Sequence, residues 1–160
     1  EKNIGEVLAM TASEAMAFFK ENNAIVNKLT ALEDVALGYI RLGQPLSTLS
    51  AGEAQRLKIA AELGTSAKGH TLFLFDEPTM GLHPHEVDRL LMCLDRLVKK
   101  GHTVVVIEHN LEVIANSDYV IDLGPDGGAA GGEVVAACTP QELMKSKKSY
   151  TAEFLRKNLS

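Results

Sequence analysis

The run LFLFDEP at residues 72–78 constrains the fold more than any other stretch. Four apolar residues, with no polar alternation, lead into Asp76, Glu77 and Pro78. Alternation marks a strand with one wet face. Its absence marks a strand covered on both faces, the habit of a parallel sheet. A second such run, TVVVI, follows at residues 103–107. Between them Val87, Leu90, Leu91, Leu94, Leu97 and Val98 recur at helical spacing. Pro84 suits the first turn of that helix, and Gly101 closes it. Strand, helix and strand in this order predict a right-handed βαβ crossover. Ligands of open α/β sheets gather at the carboxyl ends of the strands. Asp76 and Glu77 lie at such an end.

The residues before this unit read as helical. Thr11 and Glu14 make a capping box, and Ala15, Met16 and Phe19 then share a face until Asn22-Asn23 breaks the helix. A second box, Thr30 with Glu33, opens a helix toward Leu42 that Gly43 and Pro45 end. Ser50 and Glu53 open a third helix, with Leu57, Ala60, Ala61 and Gly64 on a narrow face of small residues. After the second strand come a short helix over residues 111–116 and a hairpin-like pair of strands over 119–123 and 133–137. Thr139 and Glu142 then cap a last helix running toward the C-terminus. The predicted class is α/β: a mostly parallel sheet flanked by helices, with an N-terminal helical layer. Residues 1–43 form a helical segment leading in, and residues 44–160 carry the motifs.

With 160 residues, 46% hydrophobic and 23% charged, the chain has a globular composition and enough length for one core. No apolar run approaches the roughly 18 residues that span a bilayer. The net charge of −5 argues against a nucleic-acid grip spread over the surface, and leaves only local patches such as Lys145, Lys147 and Lys148. Cys93 and Cys138 read as free thiols of a reducing compartment. The chain starts at Glu1 rather than Met, as a processed or excised piece does.

Three places carry candidate chemistry. Asp76 is placed to hold a Mg²⁺ ion bridging phosphate oxygens, and Glu77 to orient or deprotonate a water. The same pair also serves as a solvated turn at a strand end. Ser50-Ala51-Gly52-Glu53 is either one more capping box or a helix start whose bare N–H groups meet a phosphate. His109 follows the end of the second strand; a lone His is more often structural, yet this one is placed to reach the same pocket. The glycine-rich residues 124–135 lack the Lys of a phosphate loop and lead into a strand, so they read as a connection. His83 and His85 lack a third ligand at metal-binding spacing. No Gly-x-x-x-x-Gly-Lys-Ser/Thr occurs anywhere in the chain.

Taken in this order and spacing, the three stretches resemble ABC-type ATPases. LSAGE is similar to their signature, LFLFDEP to their Walker B strand with its catalytic glutamate, and His109 to their switch histidine. The finer resemblance is to UvrA, the damage-sensing subunit of the bacterial excinuclease. It rests on LGYIRLGQPLSTLSAGEAQRLKIAAEL, on DEPTMGLHPHEV with His83 where transporters carry Asp, and on VIEHNLEVIANSDYVIDLGPDGGAAGGEVVA. Upstream, KNIGEVLAMTASEAMAFF is similar to the segment after UvrA's second zinc module, so the resemblance covers nearly the whole chain.

The resemblance implies a partial ABC-type nucleotide-binding domain, the C-terminal part of a second ATPase module, using ATP and Mg²⁺. It implies that Asp76 helps hold Mg²⁺, that Glu77 is the general base and that His109 meets the γ-phosphate. Ser50, Ala51, Gly52 and Glu53 would contact the nucleotide of another module. Walker A and the family's zinc cysteines would lie outside this chain, which alone would be inactive. The implied partners are the rest of a UvrA-like chain, a second copy of that parent, UvrB and damaged double-stranded DNA. The implied setting is cytoplasmic, with no membrane. Ala51 departs from the family's Gly and crowds the backbone's approach to a phosphate. That leaves two alternatives: a UvrA-like paralogue of drug export or self-resistance, and a non-catalytic interaction domain.

Overall fold

The computed structural model describes residues 2–63, 69–124 and 132–158. The chain divides into two compact units, Glu1–Ile107 and Glu108–Ser160. Gly64 of the small-residue face and residues 125–131 of the glycine-rich stretch lie outside the described residues.

The first unit opens with three helices. Asn3 and Glu6 close a capping box that starts α1 (Ile4–Ala9), a helix the sequence reading passed over. Thr11 and Glu14 close another ahead of α2 (Ala12–Phe18). The helix expected to open at Thr30 does not. Instead α3 spans Asn23–Asp34, and the Asn22 side chain accepts the Ile25 N–H at 3.3 Å. Thr30 sits inside it and turns its hydroxyl back to the Val26 carbonyl at 2.9 Å. Packing explains which cap wins. A helix beginning at Asn23 buries Leu29 with Met10, Ala12 and Ala15, whereas a start at Thr30 leaves Leu29 outside any helix. Beyond Asp34 the chain turns through Ala36, at φ +58°, and the Leu37 N–H bonds back to the Leu32 carbonyl at 2.8 Å. Asn22→Ala should therefore cost about 1 kcal/mol, and Thr30→Ala less than about 0.5 kcal/mol, in denaturant unfolding of the full-length protein. The reverse order would restore the Thr30 start.

The Ser50 box forms as expected and starts α4 (Ala51–Leu63). The strand β1 (Leu72–Asp76) pairs in parallel with β2 (Thr103–Ile107), with Phe75 opposite Val106 and Asp76 opposite Ile107. Between them runs α5 (Pro84–Lys99), with Pro84 in its first turn and Gly101 at φ +90° after its end. Val35, Leu37, Ile59, Phe75, Leu90 and Leu97 make one buried cluster, so residues on both sides of position 43 share a core. Cys93 lies in that cluster with its thiol toward the Asp34 carbonyl, and burial pushes the thiol up to about 11. Both cysteines are free.

One expectation about the sheet is corrected. Phe73, Phe75, Val104 and Val106 pack inward, but Leu72, Leu74, Val105 and Ile107 are 55%, 71%, 46% and 59% exposed. The strands are thus apolar on both faces and covered on one, because within this unit α4 and α5 pack against the Phe73–Phe75 side alone.

In the second unit Asn110 caps α6 (Leu111–Ala115), accepting the Glu112 N–H at 2.9 Å. β3 (Val120–Gly124) and β4 (Glu133–Cys138) pair antiparallel, so parallel pairing is confined to β1 and β2 among the described residues. The single last helix is replaced by two: α7 (Pro140–Leu143), started by Thr139 and Glu142, and α8 (Tyr150–Asn158). The break has a physical cause at Asp122. Its carboxylate accepts the Ser149 hydroxyl at 2.5 Å and the Thr151 hydroxyl at 2.9 Å, while Ser149 Oγ accepts the Ala152 N–H. A fresh cap is thereby built at Ser149. Leu143, Ala152 and Leu155 fill this unit's core.

Candidate functional site at the carboxyl end of the parallel strands

Asp76 is the last residue of β1, and Glu77 begins the turn after it. The Glu77 N–H reaches the Ile107 carbonyl of β2 at 2.9 Å, and the Met80 N–H returns to the Glu77 carbonyl at 3.0 Å. Glu77 adopts φ +47°, in the left-handed region. An L-residue with a side chain pays roughly 1–2 kcal/mol to sit there, which glycine avoids. Strained backbone of this kind collects at functional sites, where the surroundings hold it in place. Both acids are exposed. The Asp76 carboxylate makes no hydrogen bond among the described residues; only its backbone is engaged.

That backbone engagement comes from α4. The Gln55 carboxamide accepts the Asp76 N–H at 3.0 Å and donates to the Asp76 carbonyl at 2.7 Å. Arg56, next in sequence and 3% exposed, donates to the carbonyls of Pro78 at 3.2 Å and Met80 at 3.4 Å. Gly52 lies so close that a Cβ there would stand 3.3 Å from the Met80 carbonyl oxygen. Three residues in the first turns of α4 therefore grip the turn that carries Glu77.

At the tip of α4, the Ser50 N–H donates to Glu53 at 2.7 Å and the Glu53 N–H to Ser50 Oγ at 3.2 Å. The Tyr39 hydroxyl donates to the same carboxylate. Tyr39 first, then Ser50, hold the Glu53 carboxyl below the usual carboxylate range. The cap occupies Ser50 and Glu53 and leaves the Ala51 and Gly52 N–H groups without a protein partner among the described residues. A helix start of this form favours an anion.

Ser50, Ala51, Gly52 and Glu53 are thus brought together with Asp76 and Glu77 in the first unit. His109 belongs to the second unit, exposed, with its N–H donating to the Glu108 carboxylate at 3.0 Å. The rings of His83 and His85 meet at 2.7 Å between Nδ1 atoms on the surface. Among the described residues no group of three or more His, Cys, Asp or Glu is placed to hold a metal. Sequence reasoning missed Tyr39, Gln55 and Arg56. The available signal was the polar pair Gln55-Arg56 on a helix whose small residues turn inward.

No model of a known protein family matches the chain. Proteins named UvrABC system protein A do match: that of Aquifex aeolicus is 58% identical and that of Mycoplasmopsis pulmonis 56%, each over 158 residues. These alignments cover 99% of this chain and 17% of each relative, so the chain spans a small part of their length. The crystal structure of UvrA2 from Deinococcus radiodurans matches with a TM-score of 0.90 and 50% identity, over 99% of this chain and 20% of that one. A bacterial Atm1-family ABC exporter with ATP bound shares the fold at a TM-score of 0.56 and 23% identity, over 96% of this chain and 27% of its own. No helix among the described residues is long and apolar enough to cross a membrane. The chain belongs to the UvrA family, as a segment with the fold of an ABC-type ATPase.

Proposed function

We propose that this chain supplies the metal-holding and water-activating end of one ATP site and the signature of another, within a UvrA-like ATPase of DNA-damage recognition. The observation that carries this is the pairing of an Asp76 carboxylate unpartnered among the described residues with a left-handed Glu77 at the carboxyl end of β1. The residues fit the groups they would serve. Asp76 would offer a hard oxygen ligand to Mg²⁺. When bound, Mg²⁺ neutralises charge on the phosphates. Glu77 orients an attacking water and takes its proton. His109 serves the γ-phosphate. Ser50 fixes the helix start, Ala51 and Gly52 offer their N–H groups to the phosphates of the other module's nucleotide, and Glu53 holds the cap that aims them.

In this reading the chain is the C-terminal part of the second ATPase module of a cytoplasmic parent. Walker A and the zinc modules come from elsewhere in that parent. A second copy of it, UvrB and damaged double-stranded DNA are its partners. Its similarity to a protein named UvrA2, together with Ala51 in the signature, favours a second reading as a paralogue.

Magnesium titration tests the site. In the full-length protein, Asp76→Asn should raise the Mg²⁺ concentration for half-maximal ATP turnover by about tenfold or more. Unchanged turnover with unchanged Mg²⁺ dependence would remove Asp76 from the site.

A further inference from the structure

We propose that Gln55 and Arg56 are positioning residues that couple the start of α4 to the turn carrying Glu77, so that a ligand at one is felt at the other. The proposal rests on the reading of Ser50–Gly52 and Asp76–Glu77 as parts of two ATP sites. Its physical basis begins at the edge of β1. Backbone groups of a strand point alternately to its two neighbours. Glu77 points to β2, through its bond to Ile107, so Asp76 points to the other edge. There the Gln55 carboxamide presents one acceptor and one donor, at 3.0 and 2.7 Å, as an adjoining strand would. Fixing both backbone groups of Asp76 fixes the direction in which its carboxylate leaves the strand.

Arg56 fastens the next few residues. Its guanidinium is buried, holds two carbonyls of the turn, and keeps an Nε with no hydrogen-bond partner among the described residues. No carboxylate lies within ion-pair distance of it among the described residues, in contrast to Arg96, which pairs with Asp34 at 2.6 Å. The Arg56 charge also acts on the Glu53 carboxylate, which it helps hold down, and on the Tyr39 hydroxyl, so it reaches the start of α4 as well as the turn. Its guanidinium immobilises the Pro78 and Met80 carbonyls. Those carbonyls frame the turn that holds Glu77 at positive φ. Gly52 closes the linkage: a Cβ there would stand 3.3 Å from the Met80 carbonyl oxygen and 3.4 Å from an Arg56 guanidinium nitrogen, so helix and turn are in close contact at this point. Displacement of the Ala51–Gly52 backbone by a bound phosphate is therefore passed to Gln55 and Arg56 within one helical turn, and by them to Asp76 and Glu77. Neither Gln55 nor Arg56 touches the reacting atoms.

The test uses the full-length protein and four readouts: ATP turnover, equilibrium binding of a non-hydrolysable ATP analogue, thermal unfolding, and hydrogen exchange at the Asp76 amide. Gln55→Met should lower turnover about tenfold to a hundredfold. Analogue binding should stay within about twofold and the unfolding midpoint should fall by no more than a few degrees, because an exposed-edge hydrogen-bond pair contributes only about 1 kcal/mol net. Exchange at Asp76 should quicken. In the wild type the analogue should slow exchange over residues 76–80, and in Gln55→Met that protection should vanish while binding persists. A folded Gln55→Met with wild-type turnover and wild-type protection overturns the proposal. Should Gln55→Met fail to fold, Arg56→Met decides: it fills similar space and removes the one nitrogen that bonds both carbonyls, and unchanged turnover and protection in it overturn the proposal equally. Full turnover in Glu77→Gln would instead reject the ATP-site reading of Glu77, an outcome that the exchange readout at Asp76 keeps separate.

Discussion

The chain on its own is expected to hydrolyse no ATP above the uncatalysed background and to self-associate as its concentration rises. Two independent features lead there. Nowhere in the 160 residues is there a Gly-rich loop with Lys and Ser or Thr to cradle the β- and γ-phosphates. Without it Asp76 and Glu77 have no phosphate held opposite them, and positioning supplies most of the catalysis in phosphoryl transfer. The second feature is the open face of the parallel pair. Leu72, Leu74, Val105 and Ile107 form a contiguous apolar surface, and the outer edge of β1 has no strand partner among the described residues. Apolar patches and free strand edges both promote association. Leu74, at 71% exposure, is the residue to change: Leu74→Lys should weaken association, read by light scattering over a concentration series, without loss of helical signal. A wild-type chain that stays monomeric and unfolds cooperatively across that series would contradict the second half. Turnover by the purified chain that disappears with Glu77→Gln would contradict the first.

The sequence and the structure agree where the physics is local. The apolar runs of β1 and β2 and the stripe of α5 are set by residues within a few positions of one another, and they were legible. So were the caps at Thr11, Ser50 and Thr139. The cap at Thr30 was equally convincing as a pattern, yet Asn22 prevails because only the earlier start buries Leu29. That choice is made by contacts with α2, which no local pattern contains. The break before α8 is similar. It depends on Asp122, 27 residues from Ser149.

The apolar character of Leu72 and Leu74 says that a cover is needed, and the structure shows none over them in this unit. Of the site, the acids and the signature cap were legible as residue types. The left-handed Glu77 was not, because positive φ is expected of glycine and here is enforced by bonds to Ile107 and Met80. Gln55's grip on Asp76, 21 residues away, was not legible either, since a side chain standing in for a strand leaves no periodic trace.

Glu77→Gln carries the second large effect. The substitution keeps the size of the side chain and its tolerance of the turn, and removes only the capacity to accept a proton. General-base catalysis contributes about a hundredfold to ten-thousandfold, so turnover in the full-length protein should fall by at least about a hundredfold. Binding of ATP should persist, because the phosphate contacts assigned to this chain come from Ala51 and Gly52 in one site and from His109 and through Asp76 in the other. The decisive measurement sets steady-state ATP turnover beside equilibrium ATP binding for the wild type and Glu77→Gln of the full-length protein. The account predicts intact binding with turnover reduced a hundredfold or more. Intact binding with wild-type turnover would contradict it.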